Sequence, residues 1–206
     1  MFKKFLKALG SFLKELLKGS PNSLKPAKTA NEKLIRAAAA EIGVKEVQGS
    51  GNNKRVVEYS KYATLDNKKG QADSVPWCSS FLCFLVETSL SIQSTNSMMA
   101  RSWLKFGKSS KNDKAVGDIV VFWRGSKQSW KGHTGIYLGE TQSYVYCLGG
   151  NQDDQVKISK YLKSKVLDYR RVSTQENFTQ AERRLLNDLA KQLIAGKDIS
   201  EGGKVV

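Results

Sequence analysis

Two residues in this chain stand in settings that suit nucleophilic chemistry. Cys78 lies in Ser74-Val75-Pro76-Trp77-Cys78-Ser79-Ser80-Phe81-Leu82, a turn opening an apolar helix. His133, the single histidine of the chain, begins Gly132-His133-Thr134-Gly135-Ile136-Tyr137-Leu138-Gly139, which has the pattern of a strand. A thiol in the first turn of a helix is made more acidic by unpaired N–H groups and the helix dipole. The same N–H groups can hold the oxyanion of a tetrahedral intermediate. An imidazole beside the thiol accepts its proton and returns it. The two residues are 55 positions apart, so only folding can join them. The imidazole also needs a partner on its second nitrogen. Asn151, following the strand Tyr144–Leu148, is the choice; Gln152 is the rival, because a one-residue change of register swaps the side chain facing the site.

The elements around the pair follow from periodicity and turn chemistry. Helices are expected over 31–43, with Asn31 as N-cap, over 54–65, over 75–90, with Ser74 or Asp73 as cap and Pro76 in the first turn, and over 96–106. Short β-rich runs follow at Asp118–Trp123, His133–Gly139, Tyr144–Leu148, Val156–Ile158 and Val166–Arg171. A helix over 176–195 and a mobile tail from Gly196 complete the chain. Helices followed by consecutive strands imply an α+β domain with helices packed on an antiparallel sheet.

Composition bounds the setting. The chain has 206 residues and a formal net charge of +15, which favours polyanions: nucleic acid, an anionic membrane or an anionic cell wall. Its three cysteines, Cys78, Cys83 and Cys147, make no disulfide framework, and one histidine with no C-x-x-C gives no zinc pattern; no metal or cofactor is expected. Cys83 and Cys147 read as small core hydrophobes. No recognised nucleic-acid motif accompanies the charge, so nucleic acid is not expected as a partner.

Residues 1–18 place Phe2, Phe5, Leu6, Leu9, Phe12, Leu13, Leu16 and Leu17 on one helical face, with five lysines and one glutamate elsewhere. This is the pattern of a cationic amphipathic helix, either at a membrane interface, suited to an anionic membrane or outer-membrane surface, or packing its apolar face on the domain. Lysines interrupt every stretch that could serve as the apolar core of a cleavable export signal. Residues 19–30, with two of the three prolines, have linker composition. The resulting division is 1–18 amphipathic helix, 19–30 linker, 31–175 catalytic domain, 176–206 terminal helix and tail.

Several strings in order resemble one superfamily. They are Pro76-Trp77-Cys78-Ser79-Ser80-Phe81, Ala100-Arg101-Ser102-Trp103-Leu104-Lys105-Phe106-Gly107, Gly117-Asp118-Ile119-Val120-Val121-Phe122, Gly132-His133-Thr134-Gly135-Ile136-Tyr137 and Leu148-Gly149-Gly150-Asn151-Gln152. Together, over about residues 31–172, they resemble the NlpC/P60 and CHAP superfamily of cysteine peptidoglycan hydrolases, nearest to a phage-associated, endolysin-like subgroup. The resemblance implies a papain-like α+β fold and cleavage of a peptidoglycan amide. It implies Cys78 as nucleophile, His133 as base and a polar third residue, best matched by Asn151. A monomer acting at the bacterial wall or periplasm, reached by lysis, secretion or external delivery, is the expected setting. Trp77, Trp130, Tyr59 and Gln152 are the candidates for substrate contact, Trp130 on the exposed loop leading to His133. Asp153 and Asp154 read as turn residues. The competing reading, from a different class, is a membrane-active protein whose activity resides in residues 1–18.

Overall fold

The structure is a computed structural model that describes residues 27–172 and 177–202. The expected amphipathic helix over 1–18 lies outside the described residues. Four α-helices are described: α1 (Ala30–Ala40), α2 (Lys54–Ser60), α3 (Cys78–Leu90) and α4 (Gln180–Ile194). Six strands form one sheet: β1 (Lys108–Ser109), β2 (Ile119–Trp123), β3 (Gly132–Glu140), β4 (Tyr144–Gly149), β5 (Lys157–Leu162) and β6 (Val166–Arg171). Their order is β1-β6-β2-β3-β4-β5, and every pair is antiparallel. The α+β architecture with an antiparallel sheet is therefore as the sequence implies.

The central helix is α3. Every residue from Cys78 to Val86 is buried, so this helix has no solvent-exposed face over its first two turns. It packs on α1, α2, β3 and β4, and its Phe81, Leu82, Leu85 and Val86 join Ile136, Leu148 and Val120 in a single core. Burial of such aliphatic and aromatic side chains contributes about 1.5–3 kcal/mol each. The helix starts at Cys78, three residues later than its pattern predicts. Trp77 is the N-cap, with no side-chain capping bond. Asp73 is not the cap. Its carboxylate accepts from the backbone N–H groups of Val47 (2.9 Å) and Asn53 (2.7 Å), pinning a loop.

α1 also begins differently from expectation. Thr29 caps it, its hydroxyl accepting from Glu32 N–H at 3.1 Å. Asn31 is instead buried, donating to Val116 O (3.0 Å) and Asp118 Oδ1 (2.9 Å). The buried Asp118 carboxylate also receives Ser110 Oγ, Ala115 N–H and the Arg171 guanidinium, and the two Arg171 bonds tie β6 to the turn before β2. Gly117 (φ 94°) must be glycine, since a Cβ there would lie 2.5 Å from Asn31 Cβ. The Gly117-Asp118 pair is thus a structural knot that sets where β2 enters the sheet.

The stretch predicted as a helix over 96–106 forms only a 3-10 helix at Ala100–Lys105. The strand predicted at Val156–Ile158 runs on to Leu162 as β5. After α4, whose N-terminus carries a full capping box of Thr179 and Glu182, the chain was expected to be mobile. Ser200–Gly202 instead pair with β5: Lys160 N–H donates to Ser200 O (3.1 Å) and Gly202 N–H to Lys160 O (2.9 Å).

Candidate active site

Strand β3 enters beside β2, with His133 opposite Phe122 in the register. β3 in turn packs against α3, whose first residue is Cys78. The backbone N–H of Thr134, the residue after His133, turns toward the Cys78 thiol, as do those of Ser79 and Cys78 itself. Thr134 is held in turn by its hydroxyl, which donates to Val120 O at 3.1 Å. The Cys78 thiol thus lies against the start of β3, the strand that carries His133. Cys78 is 5% exposed, His133 1% and Gln152 fully buried.

The partner of the imidazole is Gln152. Its Oε1 lies 3.2 Å from Nε2 of His133. The amide orientation is set from the other end, because Gln152 Nε2 donates to the backbone carbonyls of Cys147 (3.3 Å) and Lys157. With the NH2 group so engaged, Oε1 must face the ring, and His133 Nε2 carries the proton. Nδ1 is buried and has no hydrogen-bond partner. Asn151, the residue chosen from sequence, has φ 54°. β4 ends at Gly149, and the left-handed turn at Asn151 breaks the alternation on which that choice rested. The turn directs the next side chain, Gln152, to the imidazole.

A second residue joins this cluster from β5. Tyr161 donates its hydroxyl to Gln152 Oε1 at 2.9 Å and stacks on His133 with ring centroids 5.0 Å apart. Its ring also lies 4.8 Å from that of Phe122. Sequence reasoning missed Tyr161 because it placed the end of the strand at Ile158. Arg124, the residue after β2, is a second omission; its charge acts on Cys78, His133 and Tyr161 alike.

Electrostatics follow from burial. Desolvation pushes the Cys78 thiol up to about 11, offset in part by the Thr134 N–H, the Arg124 charge and the Ser79 N–H. Desolvation holds the imidazole at about 4, against the bond to Gln152 and with help from Arg124. At neutral pH the thiol and the imidazole are therefore both uncharged. Tyr161, also buried, is raised well above the usual phenol range.

The other candidates divide. Trp130 is 67% exposed, on the 124–131 loop. Arg101 braces that loop by donating to the carbonyls of Lys131 (2.9 Å), Lys127 (3.1 Å) and Ser126 (3.3 Å). Tyr59 and Trp77 were expected at a groove but are core residues here. Tyr59 packs on Trp77, Phe81 and Phe84 and donates to Glu41 Oε2 at 2.6 Å. Trp77 donates its indole N–H to Glu46 Oε1 at 2.6 Å. Gly150 packs against its ring, where a Cβ would come within 2.5 Å of Cζ3. Asp153 and Asp154, with φ 50° and 60°, are turn residues as expected. Cys83 and Cys147 are buried free thiols.

No protein-family description matches the chain, and no curated protein matches it. Among solved structures, it is similar to the crystal structure of the P60 domain of an antigen from M. avium subspecies paratuberculosis, with 18% identity and a TM-score of 0.42 over 69% of this chain and 94% of that one.

Proposed function

We propose that this chain is a cysteine hydrolase of the NlpC/P60 type that cleaves an amide bond of peptidoglycan, with Cys78 as nucleophile, His133 as base and Gln152 as the orienting third residue. The observation that carries the reading is the imidazole of His133. Its Nε2 is held by Gln152, and its unpartnered Nδ1 is the nitrogen left to serve the thiol at the head of α3.

The chemistry then runs as an acyl transfer. Nδ1 takes the thiol proton as the substrate carbonyl approaches Sγ, and the thiolate attacks carbon. The uncapped N–H groups of the first turn of α3 receive the developing oxyanion. The imidazolium gives its proton to the leaving amine, and a water deprotonated by Nδ1 then hydrolyses the thioester. Gln152 holds the ring in one tautomer throughout. Positive charge draws the protein to the anionic wall, and residues 1–18 engage an anionic membrane on the way. A phage lysin and a secreted antibacterial effector would use the same chemistry.

The test is mass spectrometry of purified peptidoglycan digested by the wild-type chain and by Cys78→Ala. Fragments from the wild type alone support the reading, and their masses name the bond. No fragments from either, on walls of several chemotypes, overturn it.

A further inference from the structure

A substrate carbonyl must come to about 3–3.5 Å from the Cys78 sulfur for attack. In the described structure the approach to it is narrow, since Cys78 is 5% exposed and His133 and Gln152 are buried. A peptide-sized substrate therefore needs the site to widen. α3 and strands β2, β3 and β4 form the core and are held on both sides. The 124–131 loop is tied to Arg101 by three hydrogen bonds. What remains is the outer edge of the sheet: Tyr161 near the end of β5, and the segment laid over it.

That segment is Ser200–Gly202. It runs parallel to β5, bonded through the backbone of Lys160 on both sides of Glu201. Two side chains fasten it. Tyr144 donates its hydroxyl to Glu201 Oε1 at 2.5 Å, and Lys157 Nζ donates to Ser200 Oγ at 3.0 Å. Gly202 lies flat on the Tyr161 ring, so close that a Cβ there would sit 2.1 Å from Cζ and 2.5 Å from the hydroxyl oxygen. Beneath it, Tyr161 covers His133 and bonds Gln152.

We propose that Ser200–Gly202 is an autoinhibitory strap: it clamps the Tyr161 ring over the His133–Gln152 pair, and its removal or displacement opens the site to substrate. This rests on the reading of Cys78 and His133 as the reacting pair. The design is economical in its contacts. Two backbone hydrogen bonds and two side-chain ones hold the strap at the edge of the sheet, and a contact set of that size opens locally without unfolding the core. Once the strap leaves, the ring contacts with His133 and Phe122 and the bond to Gln152 hold Tyr161 down.

The experiment compares three proteins: the full chain, a chain ending at Ile199, and the full chain with Gly202→Val, whose side chain cannot share space with the Tyr161 ring. Iodoacetamide is applied under native conditions, and modification at Cys78, Cys83 and Cys147 is followed by peptide mapping. The expected result is that both variants alkylate Cys78 about tenfold faster than the full chain, while Cys83 and Cys147 are unchanged. Equal rates at Cys78 in all three proteins overturn the strap. Acceleration of all three thiols marks general loosening and overturns it too. Turnover of purified peptidoglycan, measured in parallel, separates the two readings. Faster Cys78 alkylation with no wall cleavage by any protein leaves the strap standing and removes the hydrolase; wall cleavage with unchanged alkylation does the reverse.

Discussion

Gln152 Oε1 accepts from two donors at once, His133 Nε2 at 3.2 Å and the Tyr161 hydroxyl at 2.9 Å. One amide oxygen thus joins residues from β3 and β5, while the NH2 end of the same amide is anchored on the main chain. Substituting Gln152→Ala frees the imidazole to take the other tautomer. We expect kcat on peptidoglycan to fall roughly 10²-fold or more with KM little changed, whereas Asn151→Ala affects kcat far less. Steady-state kinetics of the two variants check this, and a larger loss in Asn151→Ala would assign the orienting role to Asn151.

The buried resting pair makes a prediction about thiol reactivity. With the Cys78 thiol pushed up to about 11, the thiolate is a minor species at neutral pH. Alkylation of Cys78 in the full chain should rise about tenfold per pH unit from pH 7 to 10, without a plateau below pH 9. A plateau near neutral pH, measured by peptide mapping, would mean that a thiolate–imidazolium pair is already formed at rest.

His133 carries a stability consequence of its own. Burial holds it neutral, with a folded value of about 4 against 6.5 in the unfolded chain. The unfolded chain therefore binds the proton first. The stability this burial contributes is intact above pH 6.5 and is lost as pH falls toward 4, by roughly 3 kcal/mol in all. Urea midpoints between pH 7 and 4 should drop accordingly, and His133→Gln should flatten that part of the curve. Identical slopes in the two proteins would refute the assignment.

Asp118 is expected to matter for folding rather than chemistry. Asp118→Ala removes a buried carboxylate partner of the Arg171 guanidinium and an acceptor for Asn31 and Ser110. The cost is about 3–5 kcal/mol. Chemical denaturation measures it, and a loss below 1 kcal/mol would show that Arg171's remaining contacts, Asp113 among them, suffice.

The parts of the site that sequence exposes are those with local signals. Cys78 sits where a turn meets an apolar helix, and His133 where a glycine opens a strand, so both could be read from their neighbours. Gln152 could not be separated from Asn151, because the choice turns on one backbone angle, the φ of 54° at Asn151. Tyr161 was invisible for another reason. Its partners lie 28 and 9 positions away, and the alternation of β5 is masked by lysines at 157 and 160. Tyr59 and Trp77 show the opposite error. Aromatics near a nucleophile suggest a groove, yet these two bury their rings in the core and satisfy their polar atoms on Glu41 and Glu46. Asn31 was assigned to a cap because caps are local, whereas its real partners are 85 and 87 residues on.

The two rims of the sheet are finished differently. β1, only two residues long, closes one side, and Ser200–Gly202 lies along the other. Unpaired strand rims invite a second molecule to pair with them. On the proposed reading, a chain without Ser200–Gly202 would gain a free rim on β5 together with an open site. Its working life would then be limited by self-association, and the same event that opens the site would also set its clock.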